Sequence, residues 1–212
     1  MTRILLAKEV LPWSTGYESP STMRALRQGM AAKDRMTREM IGDATEGCRA
    51  LLVIDAYGPQ DREEILEISV RAWGPVFPRM QQEVPGFVYE CFYPRGWQER
   101  QVADLATVLD GEPENVDIAR LEGRPVGWVC TRLHPEDNMG EVFILAVDPR
   151  YQRRGIARAL MDRSFDRVRR AGMRMVMVET GGDSGHEPAR RAYEAAGFQR
   201  WPVARYFKDL HV

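Results

Sequence analysis

The segment Gln-Arg-Arg-Gly-Ile-Ala at residues 152–157 has the composition of a loop that binds phosphate groups. It stands between a nearly continuous apolar run, Glu141 to Val147, and a stretch with helical apolar spacing that begins at Ile156. Gly155 lets the backbone approach a bulky anion, and the first N–H groups of a helix have no partners within it. The helix dipole and the two arginines therefore favour a pyrophosphate here, although a glycine at a strand-to-helix turn also occurs in ordinary tight turns.

Two familiar phosphate-binding motifs are absent from the sequence. A P-loop requires G-x-x-x-x-G-K-[ST], and a dinucleotide-binding fold requires G-x-G-x-x-G early in a βαβ unit. The glycine-rich loop Gly181 to Glu187 is not a phosphate loop either, since no suitable lysine opens the helix after it.

Two motifs together resemble the GCN5-related N-acetyltransferase (GNAT) family. The family's pattern Gln/Arg-x-x-Gly-x-Gly/Ala is met by Gln152, Gly155 and Ala157, and residues 189–198 read Ala-Arg-Arg-Ala-Tyr-Glu-Ala-Ala-Gly-Phe. The resemblance covers residues 51–207. It implies an α/β (α+β mixed) fold, with a mixed, mostly antiparallel sheet, a splayed central strand pair and helices on both faces.

The resemblance also implies acetyl-CoA as co-substrate and no metal. Backbone amides of residues 152–157 would hold the pyrophosphate, and the backbone of Leu145 and Val147 would pair with the pantetheine arm like an added strand. The Leu145 amide would donate to the acetyl carbonyl as a single-donor oxyanion hole. The implied cofactor-binding residues are Leu145, Ala146, Val147, Gln152, Arg153, Arg154, Gly155, Ile156, Ala157, His186 and Tyr193.

Two side chains match positions from which members of this family supply catalytic groups. Glu141, at the start of the splayed strand, would be the general base, directly or through water, and Tyr193 would protonate the departing thiolate. The alternatives are a surface glutamate beside a strand and a tyrosine of the core. Direct attack of an amine in a ternary complex follows from these roles.

His186 departs from the family's pattern. Many relatives carry an asparagine that binds pantetheine seven residues before the tyrosine, and this chain has His186 there. The imidazole could replace that contact, act as a base near neutral pH, or cap the loop before Pro188.

The elements that would position these residues can be predicted from periodicity. Residues 51–55 are a short strand, and Asp61 caps a helix with apolar positions at Ile65 and Ile68. Residues 115–121 and 125–133 form a hairpin around Glu122-Gly123-Arg124. Strand 141–147, helix 156–171, strand 173–179, helix 188–196 and a last strand at 198–207 follow.

Two segments resist a regular assignment. Residues 73–97 contain four prolines and several aromatics, and we interpret them as a loop on the substrate side. Residues 1–50 are expected to be an N-terminal extension, partly helical or partly disordered, with an irregular helix over 22–41; residues 51–212 are expected to form the catalytic domain.

Composition narrows the partners and the compartment. Thirty basic and 31 acidic residues leave a net charge of -1, which gives no global positive field for nucleic acid. Three widely spaced cysteines fit neither a disulfide framework nor a zinc site. The lack of a membrane span or signal peptide favours a cytoplasmic protein with no membrane partner.

The acceptor is left open by the sequence. Acidic residues would form a negative rim that favours a cationic amine of a small molecule or peptide, or would simply be solvated: Glu63, Glu64, Glu67, Glu136, Asp137, Glu141, Asp183 and Glu187. Aromatic residues between 73 and 97 favour a partly apolar pocket. The alternatives to an enzyme are a non-catalytic acyl-CoA sensor and an interaction module. The sequence also leaves open a homodimer and an acyl group longer than acetyl.

Overall fold

One six-stranded sheet runs through the part of the chain that the computed structural model describes, residues 37–39 and 51–211. Its strands lie side by side in chain order, antiparallel from β1 to β5 and parallel between β5 and β6. The strands are β1 (Thr37–Glu39), β2 (Leu52–Ala56), β3 (Val116–Leu121), β4 (Arg124–His134), β5 (Met139–Val147) and β6 (Met175–Met177).

Helices cover both faces of this sheet. Four of them connect β2 to β3, one connects β5 to β6, and one follows β6: α1 (Arg62–Trp73), α2 (Val76–Glu83), α3 (Gly86–Phe92), α4 (Trp97–Gly111), α5 (Ile156–Arg170) and α6 (Glu187–Ala195). One apolar core joins α1 to α4 to the sheet, and a second joins α5 to the other face. The predicted mixed fold with helices on both faces is therefore confirmed.

The predicted hairpin is present as β3 and β4. Its turn residues Glu122 and Gly123 have φ of 51° and 79°. Two consecutive positive φ values match the right-handed twist of the strands that the turn connects.

Strand β5 contains a bulge. Across the β4–β5 pair, Cys130 lies opposite Ile144 and Thr131 opposite Val142, so Phe143 is an extra residue. Phe143 and Ile144 both pack into the core under α1 to α4, whereas Val142 and Leu145 contact the core under α5. By alternation, Glu141 lies on the α1-to-α4 face.

Strands β5 and β6 separate after only three paired residues. Met139, Gly140 and Glu141 pair with Met175, Val176 and Met177, and β5 then continues to Val147 without pairing to β6. This is the predicted splay, and it leaves an open backbone edge from Val142 to Val147.

The interpretation of residues 73–97 as an irregular loop was wrong. The segment forms α2 and α3, because Pro75 and Pro85 occupy N-cap positions and Pro78 lies in the first turn of α2, where an amide is not needed. Helix α4, for which we predicted no element, follows directly. The aromatics are core rather than pocket: Phe77 and Tyr93 are buried, and Phe77 stacks on Trp97 at 4.4 Å between ring centroids.

Two predicted strands also need correction. The strand at 173–179 spans only Met175–Met177, and residues 198–207 are not a strand. Alternating apolar residues suit a strand, but a strand also needs a neighbouring strand with which to form hydrogen bonds. Trp201 and Tyr206 in this segment are 83% and 90% exposed.

Near the start of the chain, Thr37–Glu39 is a strand paired with β2, so the irregular helix predicted over 22–41 is wrong there. The rest of that prediction lies outside the described residues. In the described ranges, no helix is both long and apolar enough to cross a membrane. Cys91 is an exposed free thiol, and Cys130 is a buried one.

Candidate active site

The loop before α5 has the backbone geometry of an anion-binding site. Arg153 and Gly155 adopt left-handed conformations with φ of 62° and 80°, and Gly155 is the N-cap of α5. The first helical bond runs from the Ala159 amide to the Gly155 carbonyl, so the amides of the preceding turn lack helical partners. The side chains of Arg153 and Arg154 are exposed beside these amides.

A buried carboxylate fixes this loop to the rest of the fold. Asp148 is 1% exposed and accepts hydrogen bonds from the Arg150 amide at 2.9 Å and from the guanidinium groups of Arg150 and Arg71 at 2.7 and 3.1 Å. These bonds, with Arg150 first, hold the pKa of Asp148 at about 2. Asp148 was not identified from the sequence, although an Asp-Pro-Arg sequence after a buried strand is a signal for such a capping carboxylate.

The open edge of β5 presents the backbone of Leu145 and Val147. The Asp148 amide donates to the Val126 carbonyl of β4 at 2.9 Å, and successive residues of a strand point their amides to opposite edges. The amides of Val147 and Leu145 therefore face away from β4. The Val147 carbonyl accepts from Nε2 of Gln152 at 3.0 Å, so Gln152 stabilises the loop through its side chain.

Glu141 lies at the root of the splay. It is 6% exposed, which excludes the alternative of a surface glutamate. Its carboxylate is 3.0 Å from Nε2 of His134, a partner that sequence reasoning missed. The sequence signal was a histidine near the end of β4, diagonally opposite Glu141 across the hairpin.

Tyr193 projects from α6 and is also buried, which raises the pKa of its phenol to about 12. Its ring makes an edge contact with Phe198 at 5.9 Å. The phenol thus stays protonated at neutral pH, as a proton donor must. Within the described ranges, no hydrogen bond or salt bridge joins Tyr193 to Glu141.

His186 is buried and held by Asp183. Its Nδ1 is 2.7 Å from the Asp183 carboxylate, which also accepts from the His186 amide. Burial lowers the pKa of the imidazole. The Arg190 guanidinium binds the carbonyls of Gly181 and Asp183, so the loop is pinned to α6. Of the three roles open to His186, this geometry favours the loop cap.

Much of the expected acidic rim is paired locally. Glu64 and Glu67 bind Arg71, Glu187 binds Arg191, and Asp183 binds His186. These pairs reduce the negative field that a cationic acceptor would experience.

Comparison with known proteins places this chain in a family. The profile described as the acetyltransferase (GNAT) family matches residues 84–198, more than half of the chain. The chain belongs to this family.

Relatives of known name share parts of the chain. A mycothiol acetyltransferase of Thermomonospora curvata is 36% identical over 92 residues, covering 43% of this chain and 30% of that protein. An amino-acid acetyltransferase of Pseudomonas putida is 26% identical over 181 residues, covering 79% of this chain and 41% of that protein. This chain thus spans less than half the length of either relative.

Solved structures share the fold. An acetyltransferase of the GNAT family from Desulfovibrio desulfuricans has a TM-score of 0.55 at 22% identity, covering 72% of this chain and 87% of that one. The PaiA N-acetyltransferase of Thermoplasma acidophilum, solved with coenzyme A, has a TM-score of 0.53 at 13% identity, covering 72% and 92%.

Proposed function

We propose that the protein transfers an acetyl group from acetyl-CoA to a primary amine by direct attack in a ternary complex. The observation that carries the proposal is the open edge of β5, which leads into a left-handed turn and the free amides at the start of α5. An extended arm followed by a pyrophosphate fits such an edge and such a turn.

The residues that would hold acetyl-CoA divide by group. Amides of residues 152–157 and the side chains of Arg153 and Arg154 bind the pyrophosphate. The amides of Leu145 and Val147 bind the pantetheine arm and the acetyl carbonyl, and acetyl-CoA supplies the activated acyl group. His186 acts through the loop that it caps rather than as a direct contact.

The acceptor must lose a proton before it can attack. An alkyl amine with a pKa of about 10.4 is mostly protonated at pH 7, and freeing it costs roughly 4 to 5 kcal/mol. Glu141 is the base for this step. Because Glu141 precedes Leu145 by four residues, roughly 13 Å along a strand, the proton reaches it through water or through an extended acceptor. Tyr193 then protonates the departing thiolate.

Small polar amines are the acceptor class that we propose. One relative is named for mycothiol and another for amino acids, and most aromatics between residues 73 and 97 pack in or against the core. An acidic rim with few unpaired charges gives less reason to expect a long polycation.

An amine screen tests the proposal. Amino acids, an aminoglycoside, a polyamine and a lysine-rich peptide are each incubated with protein and acetyl-CoA, and release of the CoA thiol is recorded. Calorimetry with acetyl-CoA is run beside it. Turnover on at least one amine supports the proposal; tight binding without turnover on any amine would favour an acyl-CoA sensor.

A further inference from the structure

Glu141 is a buried carboxylate whose described hydrogen-bonding partner is an imidazole rather than an arginine. Arg132 lies directly opposite Glu141 across the β4–β5 pair, but its guanidinium binds both carboxylate oxygens of Glu112 and lies 3.2 Å from the Phe143 ring centroid. The guanidinium of Arg132 therefore pairs with Glu112 rather than with Glu141. His134, two residues further along β4, provides the contact to Glu141 at 3.0 Å.

The imidazole connects the interior with the surface. The side chain of Glu141 is 7% exposed, that of His134 27%, and that of Glu136 50%. The other ring nitrogen of His134, Nδ1, is 3.6 Å from the Glu136 carboxylate. The three side chains form a short line of proton-binding groups from the root of the splay to solvent.

The turn that carries Glu136 is held in place. Asn138 has a left-handed φ of 51°, and its side chain and carbonyl both accept from the Arg174 amide at 3.1 Å. This ties the β4–β5 connection to the start of β6. The geometry of His134 between its two carboxylates is thus set by three strands of the sheet.

We propose that His134 is a positioning residue that accepts the proton collected by Glu141 and releases it to solvent beside Glu136. The inference rests on the proposed acetyl transfer. Among residues 51–211, His134 is the hydrogen-bonding neighbour of the buried Glu141 that can receive its proton.

The proton balance of the reaction fits this route. The acceptor ammonium loses one proton to Glu141, which passes it to Nε2 of neutral His134, and the imidazolium loses a proton to water. The amine lone pair forms the C–N bond, the C–S bond breaks, and the second proton lost by nitrogen balances the one gained by the thiolate. One proton per turnover leaves through His134.

Charges around His134 favour its role as a proton acceptor. The hydrogen bond to Glu141 raises the pKa of His134, Glu136 raises it further, and Arg132, itself paired with Glu112, lowers it. An imidazole in water already binds a proton about two units more tightly than a side-chain carboxylate does. The partners of His134 therefore favour the ring as the acceptor of a proton.

Substitution of His134 gives the first test, with the amine that the screen identifies. His134→Gln keeps an amide N–H for Glu141 but cannot carry a proton. We expect kcat to fall about 10-fold or more while KM for acetyl-CoA stays within about twofold. In the wild type, kcat declines as the pH falls through the pKa of His134, because the protonated ring accepts nothing; this decline disappears in His134→Gln. Glu122→Gln, a change at an exposed position in the β3–β4 turn, should keep the wild-type profile.

Rescue gives the second test. Added imidazole should restore several-fold of the activity lost in His134→Ala, because it supplies the missing proton acceptor. A wild-type kcat in His134→Gln, or a reduced kcat with an unchanged pH profile and no rescue, would show a structural role and overturn the proposal.

A third test does not depend on these variants folding or turning over. NMR titration should show that the pKa of His134 falls in Glu141→Gln relative to the wild type; an unchanged value would contradict the coupling. Full activity in Glu141→Gln would contradict the role of Glu141 as the base. No turnover of the wild type on any amine would contradict the proposed function. The three failures are distinguishable.

Discussion

Asp148 and Glu141 stand at opposite ends of strand β5, and their partners give these two buried acids different chemistry. Asp148 is held by two guanidinium groups that do not give up protons near neutral pH, so it remains a fixed charge that shapes the phosphate loop. Glu141 contacts an imidazole, which titrates in the physiological range. The structural carboxylate, Asp148, and the proposed base, Glu141, are thus distinguished by the side chain that each one contacts.

Asp148→Asn should remove a pH-dependent part of the stability. The folded pKa of about 2 lies below the unfolded value of about 3.9, so the contribution is complete above about pH 5 and is lost as the pH falls toward 2. We expect the wild type to lose about 2 kcal/mol more unfolding free energy than the variant over this range. Urea unfolding at several pH values, with Asp137→Asn as an exposed control, measures this; parallel losses in wild type and variant would contradict it.

Tyr193→Phe should lower the rate of the chemical step without changing the affinity for acetyl-CoA. The buried phenol is protonated, and removing it should lower kcat about 10²-fold or more while acetyl-CoA affinity holds. Tyr206→Phe, at a position 90% exposed, is the matched control. Steady-state kinetics and calorimetry provide the two readouts, and an unchanged kcat would remove Tyr193 from the mechanism.

At the scale of elements, helix α5 has a left-handed glycine at each end, and only one of them faces the proposed ligand. Gly155 precedes the first turn with φ of 80°, and Gly172 follows the last turn with φ of 74°. An L side chain at either position costs about 1 kcal/mol of backbone strain. Comparing substitutions at Gly155 and Gly172 therefore distinguishes the effect of backbone strain from the effect on ligand binding.

Gly155→Ala should therefore weaken acetyl-CoA binding about 10-fold, because relief of the strain moves the amides of the first turn. Gly172→Ala should lose similar stability without loss of affinity. Thermal unfolding and calorimetry with acetyl-CoA measure the two effects. Equal affinities in both variants would place the pyrophosphate elsewhere.

Elements with local signals could be predicted from the sequence, and elements that depend on distant partners could not. The β3–β4 turn and helix α5 could be predicted from their own residues. The turn has consecutive turn-forming residues, and α5 has one apolar face and a glycine at each end. Helices α2 and α3 were hidden because prolines were interpreted as breakers, when three of them lie at starts of helices. Residues 198–207 have a strand pattern, but pairing depends on an edge that no local pattern encodes.

Some features of the candidate site could likewise be predicted from the sequence, and others could not. The role of Gly155 was predicted from the strand-loop-helix order, and the open edge at Leu145 was implied by the family resemblance. The partners of Asp148, Glu141 and His186 depend on side chains brought together by the hairpin, by α1 and by the 180–187 loop. The pairing of Arg132 with Glu112, which leaves His134 to contact Glu141, is visible only in three dimensions.

At the scale of the whole molecule, the boundary at residue 51 remains a prediction. Both apolar cores are described within residues 51–211, with Leu52 and Ile54 of β2 closing the one under α5. We expect residues 51–212 alone to fold cooperatively and to bind acetyl-CoA as the full chain does. Thermal unfolding by circular dichroism and calorimetry check this. A fragment that does not fold, or that binds much more weakly, would make residues 1–50 part of the domain.

The most direct test of the proposed activity is mass spectrometry of an amine mixture incubated with the protein and acetyl-CoA labelled in its acetyl group. Label on the nitrogen of at least one small polar amine, absent with Tyr193→Phe over the same time, is the result we predict. Tight binding of acetyl-CoA with no labelled amine in the mixture would contradict the account and leave a coenzyme-binding protein without transfer activity.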